Sequence, residues 1–330
     1  MSSCTSHKTE ISSPNNNIHL DFNIDDEGFM SYNIKVNDSI FIDESQLGFE
    51  AKDGLNLKSS FEIIKTEFSS KDETWKQIWG ENKVIRNHYN EMAVHLANID
   101  SIFLIMRFRL FDDGLGFRYE YRVKDTDKII LTDELTTFNI RNNGVSWSIP
   151  ASFETYELLY RTLLLNEVED ANTPFTFKTT RLQDHKTTSS ESVSIYASIH
   201  EAALTDFPEM TLKSTDNRQQ TTDFVHNEKF NVQSSEFKVQ LAPYPDGKTK
   251  AIFEKDNFIS PWRTIQISNT AVGLINSNLI LNLNEPCVIE GDLSWIKPMK
   301  YVGVWWGMHL GVETWVMDER HGATTENAKR

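Results

Sequence analysis

The stretch IFLIMRFRLFDDGLGFRYEYRV, residues 102–123, decides the fold of this chain. Two apolar and aromatic runs, IFLIMRFRLF and GFRYEYRV, flank Asp113-Gly114, and a tight-turn dipeptide between two such runs is a hairpin signal. The pattern extends in both directions. IHLDFNI, FMSYNIKV, FEIIKTEF and AVHLANI come before it, and LTTFNIR, VSWSIP, FTFKT, SVSIYASI, FKVQLAP, RTIQIS and AVGLINSNLILNL follow. Each alternates, or forms a short β-branched and aromatic run bounded by turn residues. Asn143-Gly144 and Lys52-Asp53-Gly54 add two further tight turns. So many strands without long helical periodicity predict a mostly β chain, a large antiparallel β-sandwich over residues 18–284.

The composition is that of an ordinary globular protein longer than one typical domain: 330 residues, 39% hydrophobic and 25% charged. A net charge of -15 argues against a non-specific nucleic-acid binder, which needs cations to neutralise phosphates. No apolar run is long enough to cross a membrane as a helix. Two cysteines, Cys4 and Cys287, make neither a disulfide framework nor a CxxC metal or redox site. Cys287 reads as a small core or linker residue. Cys4, followed by a polar stretch, resembles the end of a lipoprotein signal on a flexible tether over residues 1–17, which makes it a candidate lipid anchor. No apolar segment of a signal precedes it.

Beyond the strand block, residues 285–299 mix proline, glycine and acidic residues and read as a linker, with Val288, Ile289, Leu293 and Trp295 expected to pack on a surface rather than float. The run YVGVWWGM, residues 301–308, is short and apolar and predicts a buried parallel strand. A polar, aromatic loop with Trp315, Asp318, Glu319, Arg320 and His321 follows, and Thr324 is placed to cap a helix. One βα unit thus opens in residues 300–330. A single unit cannot bury both faces, so it needs partner units or must dock on the preceding sheets.

Glu201 is the sharpest local anomaly. In SVSIYASIHEAAL, Val193, Ile195, Ala197 and Ile199 form one apolar face, and period-two alternation carries Glu201 onto it. An unpaired buried carboxylate costs several kcal/mol, so it needs a cation, an arginine or a proton; alternatively the strand ends at Ile199 and Glu201 turns into solvent. His200 falls on the opposite face beside Tyr196 and Ser198, where a surface or edge role is the ordinary reading. His309 and His321 follow the terminal strand, at the end of a βα unit where ligands bind. Trp305, Trp306 and Trp315 read as core filler or as a stacking platform for sugar rings. Nucleophile elbow, phosphate-binding glycine loop, HExxH helix and clustered Cys/His set are all lacking in the sequence.

LSWIKPMKYVGVWWGMHLG, with PWRTIQIS and LILNLNEP, resembles glycoside hydrolase family 97, the α-glucosidases and α-galactosidases. ETWKQIWGENKVIRNHYNEMAVHL, FRLFDDGLGFRYEY and IHEAALTDFPEM are similar to the N-terminal domain of that family, and the likeness covers nearly everything after residue 18. The resemblance implies a β-supersandwich followed by the first strand and loop of a truncated (β/α)8 barrel. It implies a calcium ion held by glutamates, with Glu201 in the matching position as the ligand from this domain. Trp305, Trp306 and His309 become candidate sugar contacts. The catalytic carboxylates are expected beyond Arg330, so this chain alone is expected to be inactive. The whole protein would hydrolyse oligosaccharides as a monomer, in the periplasm or at the outer membrane. Two other readings stay open: a carbohydrate-binding or structural β-module without catalysis, and a calcium-dependent surface adhesion module.

Overall fold

The computed structural model describes residues 8–181, 193–215, 220–225, 228–297, 299–300, 305–316, 322 and 324–329. The chain divides into two compact units, Met1–Pro286 and Cys287–Arg330.

The hairpin of residues 102–123 forms as the sequence predicts. Ile102–Phe111 and Gly114–Val123 pair without a register shift from Ile102↔Val123 to Phe111↔Gly114. Gly114 has φ +144°, and a Cβ there would lie 2.2 Å from the Ile265 carbonyl oxygen, so only glycine fits the turn. This hairpin lies inside a large sheet, in the order Arg161–Leu164, Gly144–Ser148, Phe175–Arg181, Val193–Ala202, Trp262–Ser268, Gly114–Val123, Ile102–Phe111, Val84–Asn98 and Phe61–Lys76. Asn257–Ile259 also pairs with Gly114–Val123. The second sheet runs Glu10–Ser12, Ile18–Ile24, Met30–Val36, Ser39–Leu47, Thr137–Ile140, Ser235–Leu241, Met210–Ser214 and Asp170–Asn172. A smaller sheet joins Ala251–Phe253, Ile129–Glu134 and Phe49–Ala51, and Gln220–Val225 pairs with Glu228–Gln233.

Period-two alternation builds the core between the two large sheets. Leu104, Met106, Phe108 and Leu110 point inward on one strand, and Phe117, Tyr119 and Tyr121 on its neighbour. Across the interface Phe22 meets Phe108 at 5.6 Å and Tyr32 meets Phe117 at 5.0 Å between ring centroids. Burying each such ring contributes about 1.5–3 kcal/mol. The buried tyrosines keep their hydroxyls satisfied: Tyr32 donates to the Thr137 carbonyl at 2.9 Å and Tyr121 to that of Leu57 at 2.6 Å.

Four sequence expectations are corrected. Residues 10–12, assigned to the flexible tail, form a strand with Glu10 opposite Asp21. The run FEIIKTEF is only the start of a 16-residue strand, because Phe61–Lys76 stays paired with Val84–Asn98 through its polar end; cross-strand hydrogen bonds extend it where no apolar pattern signals it. AVGLINSNLILNL is not a strand but two short helices, Ala271–Ile275 and Leu279–Leu283. Thr270 caps the first by accepting from Gly273 N–H at 3.1 Å. Leu279 and Leu283, one helical turn apart, bury together beside Tyr89, Phe111 and Trp262, which is helical periodicity over too short a span to stand out.

The fourth correction lies in the second unit. Residues 301–304 are outside the described residues, and Trp305–His309 is a helix rather than part of a buried strand. Among the described residues no strand follows Trp262–Ser268. The helix satisfies its backbone internally, as Leu310 N–H does by donating to the Trp306 carbonyl at 3.1 Å. The Thr324 cap forms as read, accepting from Asn327 N–H at 3.2 Å ahead of Thr325–Ala328. Val288, Ile289 and Trp295 are exposed, and Cys287 is an exposed free thiol.

Candidate active-site cleft around Glu201

The alternation that aims Glu201 inward holds to the end of its strand. Ile195, Ala197 and Ile199 are buried in the main core, and Glu201 is 7% exposed on the same face. The strand runs through Ala202, so the reading in which it ends at Ile199 is excluded. Opposite Glu201 in the antiparallel register stands Arg263. Its guanidinium is fully buried and divides its donors: Nε and Nη2 give two bonds to Glu134, at 2.9 and 2.5 Å, and Nη1 gives one to Glu201 Oε2 at 2.6 Å. The other Glu201 oxygen accepts from Met210 N–H at 3.1 Å. Strands of three sheets are thereby tied together at one point: Val193–Ala202 with Trp262–Ser268, Ile129–Glu134, and Met210–Ser214.

Of the three ways to stabilise a buried carboxylate, the fold supplies the arginine. It does so incompletely, because two carboxylates share one guanidinium and the ionised cluster keeps one excess negative charge. Glu134 holds the bidentate side of the fork. Burial pushes the Glu201 carboxyl above the usual carboxylate range, with the Glu134 charge acting the same way, and Arg263 and Met210 N–H only partly oppose it. Burial disfavours the Arg263 cation, yet Glu134 and Glu201 hold its pKa above the ordinary arginine value.

Glu201 is also the member of this cluster that reaches a cleft. About 420 Å³ in volume, the cleft is lined by Glu201 with Tyr156, Thr173, His200, Glu209 and Asn284. Tyr156 donates its hydroxyl to Glu209, whose carboxyl is likewise raised by burial. Burial lowers the His200 pKa, and its Nδ1 is buried without a hydrogen-bond partner; expected at a surface or edge, this histidine is half-buried in the wall of the cleft. Asn284 Oδ1 accepts from Ala203 N–H at 2.9 Å and so ties the end of the α-helical segment to the cleft rim. Two carboxylates with raised pKa in one concave site mark it as the candidate functional site of this unit. Among the described residues no three His, Cys, Asp or Glu side chains converge to hold a metal ion, so Glu201 and Glu209 form at most part of a donor set.

The other expected site residues lie in the second unit. Trp305 and His309 rings stand 4.8 Å apart, Trp306 and His309 6.1 Å, and Trp305 and Trp315 5.5 Å, with both Trp305 and Trp306 exposed. His321 and Cys4 lie outside the described residues. No helix among the described residues is long and apolar enough to cross a membrane. Sequence reading missed Arg263, Glu134, Glu209 and Tyr156. Arg263 had a usable signal: in WRTIQIS the alternation that buries Ile265 and Ile267 puts Arg263 on their face.

The fold is that of an antiparallel supersandwich with a carboxylate cleft. Residues 11–286 match the family described as Glycosyl-hydrolase 97 N-terminal, and the chain belongs to glycoside hydrolase family 97. A retaining alpha-galactosidase of Bacteroides thetaiotaomicron is 23% identical over 303 residues, covering 90% of this chain and 44% of that protein. A family 97 enzyme of Pseudoalteromonas sp. strain K8, solved as a variant and also in complex with acarbose, is 37% identical, with TM-scores of 0.79 and 0.78, over 97% of this chain and 44% of that one. A beta-arabinopyranosidase shares the fold at 16% identity and TM-score 0.63 over 79% of this chain and 40% of that one. The chain spans less than half the length of the relatives it matches.

Proposed function

We propose that this chain is the N-terminal part of a calcium-dependent α-glycoside hydrolase of α-glucosidase or α-galactosidase type that acts on oligosaccharides. Family membership supports the reaction class, and the relatives bracket the sugar: one is named an alpha-galactosidase, and the Pseudoalteromonas enzyme has been solved with panose and with acarbose. The carboxylates that carry out the two-carboxylate chemistry of glycoside hydrolysis would lie in the portion of the relatives that this chain does not span. Trp305, Trp306 and His309 are proposed sugar contacts on the strength of their exposed ring cluster. An extracytoplasmic location, periplasmic or at the outer membrane, follows from the same family reading.

One observation carries the role of Glu201: it is the cleft-facing end of a buried cluster with one more carboxylate than cation. Arg263 holds one oxygen of Glu201 through Nη1–H and Met210 N–H holds the other, and a carboxylate so held still accepts through its remaining lone pairs, which suits a hard cation that prefers carboxylate oxygen. Calcium, when bound, would supply positive charge that gathers carboxylates and polarises groups near a scissile bond. Glu201 is the ligand, Arg263 and Glu134 hold its orientation, and Glu209 with Tyr156 lines the same cleft.

The test is thermal unfolding of the chain and of Glu201→Gln with and without millimolar calcium. We expect calcium to raise the midpoint of the parent chain and leave Glu201→Gln unmoved, since glutamine keeps an acceptor for Arg263 but loses the charge. Equal response of both, or no response, would overturn the assignment of Glu201.

A further inference from the structure

A cavity larger than the Glu201 cleft lies elsewhere in the first unit. A groove of about 940 Å³ runs over the outer face of the eight-stranded sheet, a volume within the range of small-ligand sites. It shares no lining residue with the Glu201 cleft. At its floor Asn139 stands in register between Asp43 and Glu236 on the neighbouring strands. Asn139 is 8% exposed, and its Oδ1 is buried without a hydrogen-bond partner. A buried amide oxygen in this position calls for a partner, and a bound group that carries donors is one.

The chemistry of the walls defines what that group can be. Asp25, Glu27, Glu44 and Glu236 are acceptors, and the cations nearby are already engaged, Lys58 with Glu50 at 2.8 Å and Arg141 with Asp43 at 2.6 Å. An acceptor-rich groove with an unpaired amide oxygen requires a ligand that brings donors. An anionic polymer would be repelled. Among the described residues the groove's carboxylates do not converge as a group of three. Phe29, 40% exposed at the groove's edge, adds a flat apolar face. Hydroxyl or ammonium donors on a chain of flat-faced rings meet all of these demands.

We propose that this groove binds a sugar chain carrying no negative charge, with Phe29 against a ring face and Asn139 and the wall carboxylates accepting from its hydroxyl or amino groups. Two sources share that chemistry, a neutral oligosaccharide and an amino-sugar oligosaccharide. Calorimetric titration of the chain with maltopentaose and with fully deacetylated chitopentaose separates them, since the pentaose that binds identifies the source. Spermidine and dextran sulfate are the comparison ligands. Expected is saturable binding of one pentaose, weakened about tenfold in Phe29→Ala and in Asn139→Leu, and unchanged in Glu201→Gln. Phe29 is exposed, so its truncation leaves the core intact and keeps the test available if Asn139→Leu fails to fold. Absence of heat with both pentaoses would overturn the proposal, as would equal binding of spermidine, dextran sulfate binding, or indifference to Phe29→Ala. Loss of binding in Glu201→Gln would move the sugar to the other cleft, overturning the groove while leaving the proposed function intact.

Discussion

Arg263 and Glu201 face each other across two adjacent antiparallel strands and share one hydrogen bond of 2.6 Å, while the other edge of the same guanidinium is committed to Glu134. The arginine is therefore a strut between carboxylates from different sheets. It is fully buried, and its unequal division of donors leaves Glu201 as the under-compensated partner at the cleft.

Removing the strut alone should be costly. Arg263→Met strands Glu134, which is fully buried, without a cation, and breaking a buried pair from one side costs about 3–5 kcal/mol. The triple replacement Arg263→Met, Glu134→Leu and Glu201→Met should recover most of that loss, since apolar groups of similar volume need no partner. Urea denaturation midpoints decide the matter. If the triple variant is less stable than Arg263→Met, the charge accounting is wrong.

Glu201 makes acid pH favourable at its own site. Its folded pKa is raised above the ordinary value of 4.5, so its contribution to stability is fully present below that value and is lost as pH rises through the folded pKa. The stability of the parent chain relative to Glu201→Gln should therefore decline from about pH 4 toward neutrality. Melting temperatures of both proteins across that interval test it; a difference that grows with pH would contradict the buried, under-compensated carboxylate.

Asp246 has the opposite sign. Its carboxylate accepts from Lys248 N–H, Thr249 N–H and the Thr249 hydroxyl, and these hydrogen bonds lower its pKa to about 2. The stability it contributes is present above its ordinary value of 3.8 and disappears as pH falls through about 2. Asp246→Asn should be less stable than the parent at neutral pH, and the two should converge in strong acid. A gap that persists at pH 2 would mean the turn depends on something other than the charge.

Two glycines with positive φ should separate strain from collision. Gly54→Ala meets no atom within 4 Å and faces only the cost of its φ of +78°, whereas Gly114→Ala adds a contact of 2.2 Å with the Ile265 carbonyl. Unusual φ alone costs on the order of 1 kcal/mol, and Gly114→Ala should lose clearly more because a backbone carbonyl cannot move aside. Equal denaturation midpoints for the two variants would show that the sheet yields at this turn.

Most of the sandwich was legible because a two-sided core writes itself into the chain every second residue. The hairpin of residues 102–123 and the inward aim of Glu201 both come from that period. What failed were segments whose structure is decided by neighbours: Lys71 and Asp72 are polar yet lie in a strand because Tyr89 and His88 pair with them, and Leu279 and Leu283 coil because one helical turn fits over Trp262.

The amino-acid sequence by itself determined the β class, the turns at Asp113-Gly114 and Lys52-Asp53-Gly54, the face on which Glu201 would fall if its strand continued and, through its resemblance, the family. Only the tertiary structure decided that Arg263 is the cation Glu201 needs, that Glu134 takes the larger share of it, and that Glu209, Tyr156 and His200 gather at the same cleft. The physical reason is that alternation is local and assigns a side chain to a face, whereas the partner on that face comes from strands 62 and 129 residues distant in sequence from Arg263, and sequence spacing carries no record of such pairings.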